Sequence, residues 1–369
     1  MPGKLLFTAS SYEHIEKFHV PYLLKLREKE WITHVVGAGM PSKVSFSDRS
    51  FNLAFNKHER LMENIRTVAF LRKLMRQEQY DLIITHTTLG AFITRLAVLG
   101  IRHRPRVIYV CHGYLFSDDM PWYKNMILRT AERLTAGVTD LLLTMNRYDY
   151  RAAVRARYGH RIEEIPGIGV DFKTLAGRNP KDRELLRKRY AVSDTDTVLI
   201  YAAEFSGRKS QEVLIRAMAF LPQDIILVLP GNGKMLDKCI ELARGLDRRI
   251  IFPGFVTDIS AWYSMADIAV SSSRSEGLPF NIMEAMYLGL PVVASAVKGH
   301  VDLIEHSKTG LLFPYGDSRQ CAAQILKLVS DPHLQNKLSA NAKNSLGQYN
   351  LDEVLPQIMA YYCASTKRV

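Results

Sequence analysis

Short apolar runs alternate with longer amphipathic segments along nearly the whole of this 369-residue chain. The runs are rich in aliphatic and β-branched residues, as in YDLIITHT, RVIYVCHG, TVLIYAAE and DIILVLPG, and segments such as KSQEVLIRAMAFL separate them. Alternation of strand and helix at this spacing predicts parallel sheets covered by helices. We therefore predict an α/β protein.

Two series of such units are separated by a glycine- and proline-rich segment between Pro166 and Pro180, which is typical of a linker. A chain of this length can form two domains, each with its own core. We predict a first domain over residues 1–166, a second over 167–345, and a C-terminal helix within 346–369 that packs back on the first domain. Parallel sheets bind ligands beyond the carboxyl ends of their strands, so two sheets facing across an interdomain cleft would suit an enzyme with two substrates.

The chain is basic, with 49 Lys and Arg residues against 37 Asp and Glu residues and a formal net charge of +12. Most of the excess lies in residues 1–165, which carry 25 basic and 16 acidic side chains. Such a surface favours anionic partners, which include nucleic acid, anionic lipid and diphosphate-bearing ligands. A basic surface that only keeps the chain in solution is the alternative.

Four cysteines lie far apart, with no CxxC pair and no histidine at metal-ligand spacing. This pattern argues against a disulfide framework and against a zinc site. No run approaches the ~20 apolar residues of a membrane-spanning helix, and the N-terminal segment reaches charged residues too early for a signal peptide. We expect a cytoplasmic protein.

The stretch SEGLPFNIMEAMYLGLPVVAS, residues 275–295, carries the clearest candidate site. Glu276 is expected at the carboxyl end of a buried strand, followed by a helix whose first backbone N–H groups, at residues 277–281, would bind an anion. Glu284, about one turn into that helix, could accept hydrogen bonds from the two hydroxyls of a ribose. The spacing alone is more often that of a helix-start carboxylate followed by a surface glutamate.

The segment SRSEGLPFNIMEAMYLGLPVVASAVKGHVDLIEHSKTGLLF resembles the Glu-x7-Glu signature of the family 4 glycosyltransferases. FHVPYLLKLREKEW, YDLIITHTTLGAFITRLA, VIYVCHGYLF, EIPGIGVD and AAEFSGRKSQEVLI are similar to the branch that builds bacterial capsules and exopolysaccharides, so the resemblance covers nearly the whole chain. It implies the GT-B architecture of two Rossmann-like domains, with a nucleotide sugar held mainly by the second and the acceptor mainly by the first. It also implies transfer with retention of anomeric configuration.

The resemblance assigns catalytic roles to Glu276, His112 and Lys209. Glu276 would contact hydroxyls of the transferred sugar, His112 would reach the sugar from the first domain, and Lys209 would stabilise the leaving diphosphate. Many relatives have an arginine about five residues before this lysine, where this chain has Ala203 and Glu204. A neighbouring cation would have to take its place.

Further donor contacts follow from the same matched motifs. Arg208 is the candidate second cation, and Glu284 would hold the ribose. The remaining donor-binding predictions are Gly277, Leu278, Pro279 and Phe280 near the sugar and phosphates, and Phe255 and Val256 beside the base. No metal or cofactor is expected, because the Asp-x-Asp sequence from Asp194 to Asp196 precedes a strand and is predicted to be a turn at its amino end.

Acceptor contacts are predicted mainly in the loop after the first strand. The candidates are Ser10, Ser11, His14, His19 and, from the second domain, His300. The resemblance implies a polyprenyl-diphosphate-linked saccharide as acceptor and peripheral attachment to the anionic inner face of the cell membrane, with other polysaccharide-assembly enzymes as further partners. Nucleic acid is not an expected partner.

These observations predict a retaining, metal-independent glycosyltransferase of bacterial surface-polysaccharide synthesis. The resemblance to this family branch, and no residue by itself, implies a UDP-linked sugar as the donor. The alternatives are a nucleotide-sugar epimerase of the same fold and a non-catalytic binder of nucleotide sugars or nucleic acid. The motifs do not specify the transferred sugar or the linkage.

Overall fold

The computed structural model describes residues 3–41, 46–53, 55, 61–117 and 120–364. The chain forms two compact units, one of Met1–Gly169 with Leu351–Val369 and one of Val170–Asn350. The chain thus leaves the first unit after Gly169 and returns to it at Leu351. Both units are α/β structures with parallel sheets, which confirms the predicted fold class.

Within the described residues, the first unit contains a seven-stranded sheet in the order β3-β2-β1-β4-β5-β6-β7, with every neighbouring pair parallel. Its strands are β1 (Lys4–Ser11), β2 (Ile32–Ala38), β3 (Arg49–Asn52), β4 (Leu82–His86), β5 (Arg106–Cys111), β6 (Leu141–Thr144) and β7 (Arg161–Glu164). The central strands are buried along their whole length, as expected for a parallel sheet covered on both faces. The direction of strand addition reverses between β1 and β4, where such folds form their ligand crevice.

Helices cover this sheet. They are α1 (Tyr12–Phe18), α2 (Val20–Glu28), α3 (Leu61–Glu78), α4 (Thr88–Val98), α5 (Trp122–Ala136) and α6 (Arg147–Ala156). A fully buried ion pair joins α4 to α5, since Nη2 of Arg95 donates to Oε2 of Glu132 at 2.8 Å. The Arg95 guanidinium also lies 4.1 Å from the centre of the Tyr109 ring, so its charge and its hydrogen-bonding groups are satisfied inside the unit.

The second unit repeats this design with a six-stranded parallel sheet, ordered β10-β9-β8-β11-β12-β13 in the described residues. Its strands are β8 (Thr197–Ile200), β9 (Ile225–Val228), β10 (Ile250–Ile251), β11 (Ile268–Ser271), β12 (Val292–Ser295) and β13 (Leu311–Phe313). Its helices are α7 (Pro180–Arg189), α8 (Gln211–Ala217), α9 (Leu236–Arg244), α10 (Ile259–Met265), α11 (Phe280–Tyr287), α12 (His300–Leu303), α13 (Ser318–Val329) and α14 (Pro332–Asn344). The strand order reverses between β8 and β11, which places the expected crevice there.

The last described helix, α15 (Leu351–Cys363), belongs to the first unit. It packs beside α2, where the rings of Tyr22 and Tyr362 lie 6.0 Å apart. The hydroxyl of Tyr22 donates to the carbonyl oxygen of Ile168 at 2.8 Å, and Nη1 of Arg106 donates to the carbonyl oxygen of Ala364 at 2.8 Å. The first and last segments of the second unit are hydrogen-bonded to each other, because the N–H of Val170 donates to the carbonyl oxygen of Tyr349 at 2.8 Å.

Among the described residues, no helix has both the length and the apolar character that crossing a membrane requires.

Candidate functional site

The switch point of the second unit gathers three charged side chains. The loop after β8 carries Arg208 and Lys209, and the loop after β11 carries Glu276. Glu276 is buried; its Oε1 accepts from Nζ of Lys209 at 2.7 Å and its Oε2 accepts from Nη1 of Arg208 at 2.6 Å. The side chain of Lys209 is 12% exposed and that of Arg208 is 47% exposed. The structure therefore brings three of the predicted donor-site residues into direct contact.

The charges in this cluster control one another. Burial alone would raise the pKa of Glu276, but Lys209 and Arg208 outweigh burial and hold that pKa well below its usual range. Burial lowers the pKa of Lys209 despite the opposing effect of Glu276. The charge of Glu204 also acts on both cations. Two cations are nevertheless in direct contact with a single carboxylate, so this cluster suits an anionic ligand.

A layer of hydroxyl groups supports the cluster from within the unit. Oγ of Ser273 donates to Oε1 of Glu276 and shares a hydrogen bond of 2.7 Å with the hydroxyl of Tyr201. Oγ of Ser272 donates to the carbonyl oxygen of Ser210 at 2.8 Å, which ties the end of β11 to the loop that carries the cations. Sequence reasoning missed these residues, although three consecutive serines directly after a buried apolar run were a usable signal.

Gly299 allows the backbone before α12 to pass directly over Glu276. Its φ is +81°, and a Cβ placed there would lie 2.8 Å from both the Cβ and the carbonyl oxygen of Glu276. The N–H of Glu276 donates to the carbonyl oxygen of Lys298 at 3.2 Å. Only glycine combines this backbone angle with so close an approach.

His300 follows Gly299 but lies beneath the site with no exposed surface. Its Nε2 pairs with Oγ of Ser271 at 3.1 Å, and its Nδ1 lies 2.8 Å from the carbonyl oxygen of Ser295. Burial lowers its pKa to about 4, although the negative charge of Glu276 acts in the opposite direction. The predicted contact of this ring with an acceptor would require these hydrogen bonds to break.

The second glutamate of the pair, Glu284, lies half-buried on α11. Oε2 of Glu284 is 3.5 Å from the hydroxyl of Tyr263, which also donates to the carbonyl oxygen of Asn281 at 2.9 Å. Nδ2 of Asn281 donates to the carbonyl oxygen of Ala202 at 3.1 Å, directly after β8. These bonds fix the start of α11 against the switch point.

The other predicted donor residues divide into two groups. Gly277, Leu278 and Pro279 form the turn between Glu276 and α11, and Phe280 is the first residue of that helix. In the loop after β10, Phe255 is 71% exposed, whereas Val256 packs against the core.

The Asp-x-Asp sequence lies in a turn before β8, as predicted. Oδ2 of Asp196 accepts from the N–H of Ser193 at 2.8 Å and from Nη1 of Arg249 at 3.0 Å. This turn is at the amino end of its strand, opposite to the edge of the sheet that carries Glu276.

The switch point of the first unit gathers four histidines, which we call the histidine pocket: His14, His19, His86 and His112. His14 lies on α1 after β1, and His19 separates α1 from α2. His86 ends β4, and His112 directly follows β5. Sequence reasoning selected three of these residues and missed His86, whose position at the end of a buried apolar strand was the available signal.

The rings of the histidine pocket are in contact. Nδ1 of His86 and Nε2 of His112 lie 3.0 Å apart, and the ring centres of His19 and His86 are separated by 3.9 Å. The ring centres of His14 and His112 are 4.9 Å apart. Burial holds the pKa of His19, His86 and His112 well below the ordinary imidazole value.

The two predicted serines lie beside this pocket. Ser10 is predicted in the loop after the first strand, but it lies within β1, because this strand extends to Ser11; its side chain is partly exposed. Oγ of Ser11 accepts from the N–H of His14 at 3.2 Å and so caps the start of α1, a position where serine stabilises a helix.

Comparison with known proteins agrees with this architecture. The family model Glycosyltransferase Family 4 matches residues 26–171, and the model Glycosyl transferases group 1 matches residues 182–345. EpsD of Bacillus subtilis (strain 168), which is named as a glycosyltransferase, is 30% identical over 371 residues that cover 99% of this chain and 97% of EpsD. An Escherichia coli protein named UDP-Gal:alpha-D-GlcNAc-diphosphoundecaprenol alpha-1,3-galactosyltransferase is 23% identical over 298 residues, covering 78% of this chain and 76% of that protein.

Solved structures share the fold over the full chain. Anabaena HepE in complex with UDP-glucose has a TM-score of 0.79 at 22% identity, covering 97% of this chain and 98% of HepE. WaaG, a glycosyltransferase involved in lipopolysaccharide biosynthesis, has a TM-score of 0.76 at 16% identity, covering 98% of this chain and 100% of WaaG. With two parallel-sheet units and family matches to each of them, the chain belongs to the family 4 glycosyltransferases of the GT-B fold and is a glycosyltransferase.

Proposed function

We propose that this glycosyltransferase moves a sugar from a UDP-sugar to a hydroxyl of a polyprenyl-diphosphate-linked saccharide, with retention of configuration and without a metal ion. The observation that carries the proposal is the contact of buried Glu276 with Lys209 and Arg208 at the switch point of the second unit. This arrangement matches a ligand that has both a diphosphate and a sugar.

The two cations supply the charge that a diphosphate leaving group needs. Lys209 and Arg208 stand at the carboxyl edge of the sheet, where the leaving oxygens would gain negative charge as the glycosidic bond breaks. Their two positive charges perform the task that a divalent cation performs in metal-dependent phosphate chemistry. In this proposal Arg208 takes the place of the missing upstream arginine; its contact with the same carboxylate as Lys209 supports that role.

The two glutamates would hold the two sugars of the donor. Glu276 would exchange a cation contact for hydroxyls of the transferred sugar, and Glu284 would accept from the ribose hydroxyls. The uridine base is the part of the proposal that draws on relatives: HepE is described with UDP and with UDP-glucose, and the Escherichia coli relative is named for UDP-Gal.

The proposed transfer breaks the bond between the anomeric carbon and the diphosphate oxygen and forms a bond from that carbon to the acceptor oxygen. The acceptor's proton passes to the departing diphosphate, so no protein group is consumed. Both carboxylate oxygens of Glu276 contact cations in the structure, and with donor bound they would be shared between a cation and sugar hydroxyls, which suits positioning and electrostatic stabilisation rather than nucleophilic attack. Attack on the face that the diphosphate leaves gives retention.

We propose that the acceptor saccharide binds at the carboxyl edge of the first unit, where Ser10, His14 and His112 are partly exposed.

A lipid-linked acceptor requires access to a membrane, and α5 offers a suitable surface. Its exposed apolar side chains are Trp122, Tyr123, Met126, Ile127 and Leu134. A groove beside α6 adds the guanidinium groups of Arg129, Arg133 and Arg155. Aromatic and apolar groups beside cations are typical of a surface that binds anionic lipid headgroups.

The donor assignment is tested by thermal unfolding with UDP, GDP or ADP at matched concentrations in the presence of a chelator. At 100 times its dissociation constant, UDP should stabilise the protein by about 2.7 kcal/mol. This effect should be lost in Glu284→Gln and kept in Glu212→Gln, whose carboxylate pairs with exposed Lys238. Equal stabilisation by all three nucleotides, or by none, would contradict the assignment.

Transfer is then tested with UDP-sugars and a polyprenyl-diphosphate-linked saccharide, and NMR reads the anomeric configuration of the product. Retention without added metal supports the proposal. An epimerised nucleotide sugar formed without an acceptor, or binding without turnover, would indicate the alternative functions.

Membrane attachment is tested by sedimentation with vesicles of phosphatidylcholine, with or without phosphatidylglycerol. Binding should require the anionic lipid and should weaken in Trp122→Ala. Phe220→Ala, which removes an exposed aromatic ring from the second unit, is the control. Equal binding of both variants would contradict the role of α5.

A further inference from the structure

The histidine pocket contains buried ring nitrogens without a hydrogen-bond partner. They are Nδ1 of His14, both ring nitrogens of His19 and Nε2 of His86. His19 has no exposed surface, and a buried polar atom without a partner costs about 1–3 kcal/mol. The unpartnered nitrogens on the neighbouring rings of His14 and His19, whose centres are 5.1 Å apart, therefore indicate a ligand at these two rings.

The geometry favours a metal ion as that ligand. Among the described residues, His14, His19 and His112 each offer a ligand atom, and these atoms all lie within 4.8 Å of one another. A tetrahedral ion with Zn–N bonds of about 2.0–2.1 Å separates its ligand atoms by about 3.4 Å. To bind the ion, the ligand atoms would have to move from separations of up to 4.8 Å to about 3.4 Å. Rotation of the rings would bring them closer, and His14 lies on the short helix α1, where it is partly exposed.

His86 would orient one of the ligands. Its Nδ1 is bonded to Nε2 of His112 at 3.0 Å, which leaves Nδ1 of His112 for an ion. A metal-bound imidazole almost always donates its second ring N–H to a neighbouring acceptor, and His86 supplies that acceptor. The orienting group is thus present before an ion binds.

We propose that the histidine pocket binds one late transition-metal ion of the Zn²⁺ class through His14, His19 and His112, with His86 as the positioning residue. Imidazole nitrogen is a preferred ligand of Zn²⁺, Cu²⁺ and Ni²⁺, whereas Mg²⁺ and Ca²⁺ prefer oxygen. His14 on α1 and His19 at the junction of α1 and α2 are separated by four residues, a spacing that paired metal-ligating histidines use and that sequence reasoning overlooked. The third ligand, His112, directly follows β5 and is far from them along the chain.

The ion is not a cofactor of the proposed transfer. His112 and His14 are also the residues proposed to meet sugar hydroxyls, and a ring nitrogen bound to a metal cannot accept a hydrogen bond. Metal and acceptor would therefore compete for the same rings, so the site would act as an inhibitory metal site.

The test uses the untagged full chain, treated with a chelator and then titrated with Zn²⁺ against a chromophoric chelator, without nucleotide or acceptor. We expect one tight Zn²⁺ per chain. His14→Asn and His19→Asn should each weaken binding more than 100-fold, and His86→Asn should weaken it about 10- to 100-fold. His160→Asn, which changes an exposed histidine of the same unit, should bind like the unmodified chain.

A spectroscopic measurement separates loss of ligands from loss of folding. Co²⁺ bound by the unmodified chain should give the intense visible absorption of a tetrahedral site, and folded His14→Asn, checked by circular dichroism, should not. The proposal is overturned if the unmodified chain binds no more Zn²⁺ than His19→Asn, or if its Co²⁺ spectrum is the weak one of a hexacoordinate ion. Because no nucleotide is present, neither result depends on the donor assignment.

Discussion

Replacing Glu276 by glutamine separates two roles of this carboxylate, because the change keeps the shape and removes the charge. Oε1 and Oε2 each contact a cation, at 2.7 and 2.6 Å, and the glutamate side chain is 6% exposed. Removing one partner of a buried ion pair costs about 3–5 kcal/mol. We expect the lower value, about 3 kcal/mol, because the half-exposed Arg208 can regain water and glutamine still accepts one hydrogen bond.

For a unit of this size, a loss of about 3 kcal/mol lowers the melting temperature by roughly 6–12 °C. Calorimetry at neutral pH without nucleotide measures this shift. Glu212→Gln is the matched control, since its partner Lys238 is 3.4 Å away and exposed; we expect a change within about 0.5 kcal/mol.

Glu276→Gln should weaken the folded state but strengthen the binding of free UDP. In Glu276→Gln both cations lose their internal anion, and a unit charge at a few ångströms contributes more than about 1.4 kcal/mol at an effective dielectric near 20. The dissociation constant for UDP, measured by calorimetric titration, should therefore fall on the order of tenfold while transfer activity falls as well. A variant that is as stable as Glu212→Gln, or that binds UDP more weakly than the unmodified chain, would refute the reasoning.

Three other predictions concern backbone space, pH and a buried charge. Gly299→Ala should lower the melting temperature clearly more than Gly316→Ala. The two glycines have nearly the same φ, +81° and +82°, so the strain of this angle is common to both variants, but only the Cβ at position 299 would meet other atoms. Burial lowers the pKa of His300 to about 4, so the folded state binds fewer protons than the unfolded state below about pH 6.5. Stability should fall by up to about 3 kcal/mol between pH 6.5 and 4, and urea titrations of His300→Asn should lack this part of the loss. Glu132→Gln leaves the buried Arg95 uncompensated and should cost about 3–5 kcal/mol in urea unfolding; a loss below 1 kcal/mol would contradict it.

The central strands were predictable because a parallel sheet buried on both faces requires continuous apolar runs, as in LIITH of β4. Three strands were not: β3 (RSFN) and β7 (RIEE) lie at sheet edges with half-exposed polar residues, and β13 has three residues. The sequences of β3 and β7 contain no apolar run and so do not differ from those of loops, whereas β13 is apolar and largely buried but only three residues long.

The candidate site shows the same limit. Glu276 and Lys209 could be selected from their motifs, but their contact joins residues 67 positions apart and follows from the adjacency of β8 and β11. The unpartnered nitrogens of His19 and the bond between His86 and His112 likewise depend on which strand ends become neighbours. Local patterns predict elements, whereas strand order determines which side chains meet.

The return of the chain to the first unit at Leu351 has a consequence for synthesis on the ribosome. Residues 170–350 emerge as one uninterrupted segment, so the second unit has all of its chain before the first unit does. Tyr22 of α2 cannot pack against Tyr362 until that residue has been synthesised, 340 positions later. A stop codon or a bulky fusion near Leu351 should therefore leave the apolar face of α2 uncovered, so that proteases and chaperones act on the first unit rather than on the second.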